Sequence, residues 1–270
     1  MPTPQARRER ALRLILPALV FVLLILAWDL VVRVNALPPY ILPGPSLVLH
    51  TLVADRAVLF ASLMVTLKTT IAGFALAALG GILVAVLLHQ SRLLAYALYP
   101  YAVVLQVTPV IAIAPLLLIY LPQEAAVLAC AWIVAFFPVL ANTSLGLRSV
   151  DRNLVDLFRL CRASRWQRLT RLELPAALPH ILAGLRIAGG LSLIGAVVAE
   201  IAAGAGGAAS GLAWRILESG YRLNIPRLFA ALILLAAAGV VIFALLSLLS
   251  LLLLRRWHES ALAPPDASRA

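Results

Sequence analysis

Six long apolar stretches constrain the fold of this chain more than any other feature. Each contains roughly the 20 or more residues that a helix needs to cross the hydrocarbon core of a bilayer. Hydrophobic residues make up 63% of the chain, whereas soluble domains average about 45–50%. The sequence therefore predicts an all-α membrane protein with six transmembrane helices. Their approximate bounds are 14–32, 62–88, 94–120, 125–147, 181–202 and 228–254.

The distribution of basic residues predicts how these spans are oriented. With six spans both tails lie on one side of the membrane, and 15 of the 22 Lys and Arg residues fall on that side. Five fall on the other side. Because cytoplasmic loops carry the excess of Lys and Arg, both termini are predicted to be cytoplasmic. The cytoplasmic tails are then residues 1–13 and 259–270, and one membrane domain covers residues 14–258. Most of the net charge of +11 is then explained by cytoplasmic segments that lie beside membrane lipid. Nucleic acid is not expected as a partner.

The loop between the fourth and fifth spans, residues 149–175, is long, basic and amphipathic. Asp151 is expected to cap a first short helix. The apolar residues Leu154, Leu157 and Cys161 recur on one face of that helix. Together with a second short helix that follows it, this helix either docks into a cleft of a partner protein or lies on anionic lipid.

A second short helix is expected to follow at once. Ser164 and Gln167 fit the capping box, so this helix should begin at Ser164. Arg162 and Ala163 then form the corner between the two helices. Pro175 is expected to end the second helix, because proline disfavours helical geometry in the preceding residue.

Other kinds of chemistry find little support. The two cysteines and four histidines are scattered, so no metal site, cofactor or catalytic residue is expected. The ionisable residues within the spans are isolated in sequence, which leaves an intramembrane enzyme as a distant alternative. The two halves of the chain share no repeat of the kind found in many secondary transporters. No G-x-x-x-x-G-K-[ST] phosphate-binding loop is present, so any ATP must be used by a partner.

Five pieces of the chain together resemble one family. They are LPGPSLVLHTL at 42–52, TPVIAIAPLLL at 108–118, FFPVLANTSLGLRSVD at 136–151, ASRWQRLTRLELPAALPHILAGLRIA at 163–188 and VVAE ending at Glu200. On these residues the chain is similar to the permease subunits of bacterial ATP-binding-cassette importers, and within them to the nitrate/sulfonate/taurine type. The resemblance implies a type I importer permease fold in the bacterial inner membrane, with a cytoplasmic coupling-helix loop between spans four and five.

The resemblance also implies partners and a class of solute. The partners are an ATPase subunit, a periplasmic or lipid-anchored substrate-binding protein, and a second permease chain, identical or different. The solute is small and resembles nitrate, a sulfonate or taurine. Bicarbonate and a thiamine-precursor pyrimidine remain alternatives.

The basic loop is, by this resemblance, where the ATPase docks. Relatives carry Glu-Ala-Ala and then a glycine; here Asp156, Leu157 and Phe158 stand at the first three positions and Arg162 at the glycine. A left-handed arginine should cost about 1 kcal/mol or shift the cap by one residue. The expected docking residues are Asp156, Arg159, Arg162, Ala163, Ser164, Arg165, Trp166, Arg168, Leu174 and Pro175.

Polar and helix-breaking residues inside the spans are the expected residues of the translocation path or its gates. Prolines free backbone carbonyls that must face protein or a wet cavity. Charges at membrane depth are costly and should face protein or water. The residues are Lys68, Pro109, Pro115, Asn142, Arg186 and Glu200. For Glu200 we expect an ion pair with Lys68 at the outer level, or else a place at the outer mouth of the path.

Overall fold

The computed structural model of the chain describes residues 4–204 and 210–255. The tail predicted at 259–270 lies outside the described residues. In chain order the helices are α1 Pro4–Val34, α2 Pro45–Ala54, α3 Arg56–Gln90, α4 Arg92–Val107, α5 Val110–Tyr120, α6 Gln123–Arg148, α7 Arg152–Leu160, α8 Arg165–Arg168, a π segment Leu169–Glu173, α9 Leu174–Ala203, α10 Leu212–Tyr221 and α11 Ile225–Leu254.

The all-helical membrane architecture is confirmed. Within the described residues, five helices are long and apolar enough to cross a membrane, and α4 with α5 makes a sixth if the two count as one bent span. Three of the elements, α8, the π segment and α9, run on without interruption as Arg165–Ala203. We call this element the long helix. The other spanning helices are α1, α3, α6 and α11.

The third predicted span is two helices bent by 100°. Of its three prolines only Pro109 lies at the bend, whereas Pro100 and Pro115 lie inside α4 and α5. Thr108 and Pro109 both have extended backbones, with ψ angles of 122° and 117°. Two consecutive extended residues cannot continue a helix, so the direction of the chain changes here.

The described chain divides into two units, and the larger comprises Ala61–Trp214 and Leu234–Ala270. Its centre is the packing of α6 against the long helix. Half of the most apolar stretch of α6 is buried, and the same is true of the long helix, whereas none of the most apolar stretch of α1 is buried. Small residues permit this close approach. At Gly195, for example, an added Cβ would lie 2.7 Å from the Cys130 carbonyl oxygen.

The smaller unit comprises Met1–Phe60 and Arg215–Ile233. The rings of Trp28 and Phe229 meet with their centroids 5.6 Å apart. The Arg227 Nε atom donates to Asp55 Oδ2 at 2.6 Å. These contacts connect the amino-terminal helices with the segment that opens α11.

Candidate functional site: the docking helices and two buried carboxylates

We call the two short helices of the basic loop, α7 and α8, the docking helices after the role predicted for them. The first, α7, is capped as predicted. Asp151 Oδ1 accepts the Asn153 N–H at 2.8 Å. The apolar side chains of Leu154, Leu157 and Leu160 are 45%, 52% and 82% exposed. Within the part of the chain that the structure describes, α7 therefore presents an uncovered apolar face.

The corner after α7 is closed by an arginine in left-handed geometry. Arg162 has φ 51°, and its N–H donates to the Arg159 carbonyl at 2.9 Å. The Ala163 N–H donates to the Phe158 carbonyl at 2.9 Å. These two bonds define a Schellman cap, in which glycine is the usual left-handed residue. The predicted strain is therefore carried by Arg162 itself, and the cap is not shifted.

Replacing this arginine should stabilise the protein. We expect Arg162→Gly to raise the free energy of unfolding by about 1 kcal/mol, because glycine adopts positive φ without a steric penalty. Thermal unfolding of the purified protein measures the effect. Arg165→Gly, at the first position of α8, is the matched control and should destabilise. A variant Arg162→Gly that unfolds at or below the temperature of the parent would contradict the strain at this corner.

The second docking helix begins where the sequence predicts. Gln167 N–H donates to Ser164 Oγ at 3.2 Å, and the Ser164 N–H donates to Gln167 Oε1 at 2.8 Å. This reciprocal pair is the predicted capping box. Trp166, which lies between Ser164 and Gln167, is 69% exposed. Trp166 therefore stands on a helix start whose backbone is fixed.

The prediction that Pro175 ends this helix is wrong. Leu174, which precedes it, is helical, and its N–H donates to the Leu169 carbonyl across the wider π turn. Pro175 then lies in the first turn of α9, where its missing N–H is tolerated. The predicted loop 149–175 is thus continuous with the fifth span from Arg165 onwards.

A buried carboxylate that the sequence analysis missed lies at the base of the docking helices. Glu173 is 3% exposed. Its Oε1 accepts from Arg168 Nε at 2.7 Å, and its Oε2 lies 3.1 Å from His89 Nε2. Arg168 belongs to α8 and His89 to the last turn of α3. Glu173 therefore connects the docking helices with the second span. We call Glu173, Arg168 and His89 the inner clasp.

Glu200, at the opposite end of the long helix, is held in a comparable way. Its Oε2 accepts from Thr66 Oγ1 at 2.9 Å and from the Ala213 N–H at 3.2 Å. The same Thr66 hydroxyl accepts the Leu212 N–H at 2.8 Å. Since Leu212 and Ala213 open α10, these side chains satisfy two N–H groups of its first turn. We call Thr66, Glu200 and residues 211–213 the outer clasp.

The predicted ion pair between Glu200 and Lys68 is not formed. Lys68 is exposed, whereas Glu200 is buried, and among the described residues the carboxylate binds Thr66 and the backbone of α10 instead. Thr66 and Lys68 are two positions apart on α3, so they face opposite sides of the helix. The Thr66 hydroxyl and the Ala213 backbone amide take the place of the predicted cation.

Close contact with Gly211 completes the outer clasp. A Cβ at this position would overlap the carboxyl group of Glu200. Only glycine lets the backbone of the α10 start lie against the carboxylate. The sequence analysis did not single out this glycine, whose contact with Glu200 depends on the packing of α10 against the long helix.

The remaining predicted path residues do not converge on one point. Asn142 Nδ2 donates to the Pro138 carbonyl at 2.8 Å within α6. Arg186 donates to Ser250 Oγ of α11 at 2.9 Å. Pro109 lies on a cavity of about 300 Å³ at the bend between α4 and α5, which α6 and the long helix also line. Within residues 4–204 and 210–255, no three His, Cys, Asp or Glu side chains are close enough to share a metal ion.

Comparisons with known proteins place this geometry in a family. A family model described as "Binding-protein-dependent transport system inner membrane component" matches residues 77–259. The formylaminopyrimidine transport permease protein ThiX of Halalkalibacterium halodurans is 33% identical over 91% of this chain and 97% of that protein. The putative aliphatic sulfonates transport permease protein SsuC of Bacillus subtilis is 29% identical over 92% and 87%.

A solved structure shares the fold. It is described as the crystal structure of an amino acid ABC transporter with histidines, and the TM-score is 0.60. The match covers 76% of this chain and 97% of the other, at 22% identity. At that identity the likeness concerns the fold.

Proposed function

Since this chain belongs to the family of inner membrane components of binding-protein-dependent transport systems, it is a permease subunit of an ATP-binding-cassette importer, and we propose that it forms the path for a small solute. A binding protein delivers the solute, and a separate ATPase subunit supplies the energy. The chain itself is not an enzyme in this proposal. Its only lysine, Lys68, follows a leucine, so it lacks the Gly-Lys pair of a phosphate-binding loop.

The observation that carries the proposal is the continuity of the second docking helix, α8, with a span. The uncovered apolar face of α7 and the exposed Trp166 offer a partner the kind of aromatic and apolar anchors that dominate interface energies. The caps at Asp151 and Ser164 hold these anchors in place. Because α8 continues into α9, force applied at Trp166 acts directly on a helix in the membrane. The proposed docking residues are the ten named from the sequence, from Asp156 to Pro175.

Trp166 provides the sharpest test of docking. We expect Trp166→Glu to weaken ATPase binding at least 30-fold, which corresponds to about 2 kcal/mol at a tryptophan anchor. Co-purification of the ATPase subunit with the permease measures this, and uptake of radiolabelled taurine into proteoliposomes measures the loss of coupling. Trp166→Phe keeps an aromatic anchor and is the control. Equal ATPase capture by Trp166→Glu and the parent would refute the docking proposal.

The orientation of the chain, with both termini in the cytoplasm, is also a proposal. It rests on the asymmetry of basic residues in the loops. The exposed native residue Cys161 then faces the cytoplasm, whereas Tyr221, 77% exposed on α10, faces outward.

Cysteine labelling of intact cells tests this orientation. We expect Tyr221→Cys, in a Cys161→Ser background, to react with a membrane-impermeant maleimide from outside. Native Cys161 should react only after the membrane is permeabilised. Ser210 is a poor reporter of sidedness because it is 2% exposed. Labelling of Cys161 in sealed cells would reverse the proposed topology.

For the translocation path we propose the cavity at the bend between α4 and α5. Broken helices near mid-membrane expose backbone groups that bind solutes or ions in transporters. Thr108 and Pro109 interrupt the helix there, and Pro115 follows inside α5. Asn142 and Arg186 are proposed to shape the inner part of the path. Lys68 and Glu200, which do not face each other, are proposed as separate gating residues at its outer end.

The proposed solute is small and resembles nitrate, a sulfonate or taurine, and a thiamine-precursor pyrimidine is the second possibility. One relative is named for aliphatic sulfonates and another for formylaminopyrimidine. Competition separates the two: excess unlabelled sulfonate should abolish taurine uptake by the reconstituted transporter, and formylaminopyrimidine should not. The opposite result would favour the pyrimidine.

A further inference from the structure

The inner clasp contains one more polar contact than the burial of the Glu173 carboxylate requires. A carboxylate that is 3% exposed loses most of its hydration, and its burial is tolerated only with close partners. Glu173 divides its two oxygens between separate elements, one toward Arg168 at 2.7 Å and one toward His89 at 3.1 Å. An internal salt bridge with Arg168 would satisfy the charge, so the second contact ties the long helix to α3.

The groups that surround this carboxylate favour its role as a connection. The side chains of Arg168 and His89 are 25% and 20% exposed, so the cluster is mostly shielded from solvent. His89 also lines a small crevice with Tyr99 and Arg148. The residues that line this crevice include no acid that could compete with Glu173 for His89.

Contacts between α3 and the long helix recur along their length. Near the middle, Ser192 Oγ donates to the Thr70 carbonyl at 2.9 Å. At the outer end Thr66 binds Glu200. The two helices are therefore hydrogen-bonded at both ends and between them, and they run antiparallel.

We propose that Glu173 is the positioning residue that makes α3 and the long helix move as one body when the ATPase docks. This rests on the proposed docking function. The π segment that ends at Glu173 is a place where a helix can change its winding. The contact with His89 fixes α3 to the long helix at the last residue of that segment. A displacement at Arg168 then reaches α3, and through Thr66 it reaches the first turn of α10.

The test uses a reporter that needs no solute. Ser210 is 2% exposed beside the outer clasp, so Ser210→Cys in a Cys161→Ser background reports movement there. The complete transporter in proteoliposomes is treated with ATP and vanadate, and external labelling by an impermeant maleimide is timed. We expect trapping to change the labelling rate at least 3-fold with Glu173 present. With Glu173→Gln the change should disappear, while the ATPase still co-purifies.

The control variants separate this inference from the docking proposal. Glu124→Gln removes an exposed carboxylate from α6 and should leave the response to trapping intact. Glu173→Asp keeps the charge and should restore part of the response, which a purely structural loss would not show. Failure of the parent chain to capture the ATPase would defeat the docking proposal. Normal capture with an equal response in the parent and Glu173→Gln would defeat only this inference.

Discussion

Glu200→Ala is expected to lower the free energy of unfolding by about 3 kcal/mol and to abolish uptake. It removes the acceptor of two hydrogen bonds, leaves the buried Ala213 N–H unsatisfied at a cost of about 1–3 kcal/mol, and leaves the Thr66 hydroxyl with only its longer bond of 3.3 Å to the Ser62 carbonyl as a donor. Chemical denaturation of the purified protein in detergent measures the loss. The start of α10 should separate from the end of the long helix, so we also expect faster labelling of Ser210→Cys.

Two matched variants sharpen this expectation. Glu200→Gln retains an acceptor oxygen of the same shape and should lose no more than about 1 kcal/mol. Thr66→Val removes the hydroxyl that links Leu212 to Glu200, whereas Thr66→Ser keeps it; only the valine variant should resemble Glu200→Ala. If Glu200→Ala is as stable as the parent and transports normally, the outer clasp has neither a structural nor a functional role.

The second large effect is expected from one added methyl group. In Gly195→Ala the new Cβ would lie 2.7 Å from the Cys130 carbonyl oxygen and 3.0 Å from Ala131 Cα. Backbone atoms cannot move aside as a flexible side chain can, so α6 and the long helix must separate. We expect a loss of about 3 kcal/mol in the free energy of unfolding, near the upper end for overpacked interiors.

Gly190 provides an internal control on the same helix. A Cβ at this position meets no atom within 4 Å, so Gly190→Ala should be neutral or slightly stabilising through its helix propensity. Comparing the two unfolding midpoints removes the propensity term. Similar midpoints for Gly195→Ala and Gly190→Ala would show that α6 and the long helix are not in such close contact.

The features that the sequence predicts correctly depend on short-range patterns. The caps at Asp151 and Ser164 each use a hydrogen bond between residues two or three positions apart. The left-handed corner at Arg162 follows from its alignment with a family glycine. Long apolar runs reveal the spans because a bilayer demands a minimum length.

The clasps could not be predicted in the same way. Glu173 and His89 are 84 positions apart, and Thr66 and Glu200 are 134 apart. Only the packing of α3 against the long helix brings these residues together. For Glu200 we predicted a cationic partner, because a charge at membrane depth needs a partner. The prediction did not consider that a backbone N–H at the start of a helix can serve the same purpose. The third span contains three prolines, and the sequence alone does not distinguish which of them lies at a bend. Tertiary packing places the bend at Pro109.

The length of the long helix has a mechanical consequence. Its 39 residues extend about 58 Å at 1.5 Å per residue, while the hydrocarbon core is about 30 Å thick. If Glu200 lies at one edge of the hydrocarbon core, about 25 Å of the helix extends beyond the other edge, toward α8. A tilt of about 10° in the membrane swings a tip at that distance through about 4 Å. The aqueous arm of the helix is thus nearly as long as the arm within the bilayer, so a partner that displaces the tip by about 4 Å tilts the membrane segment by about 10°.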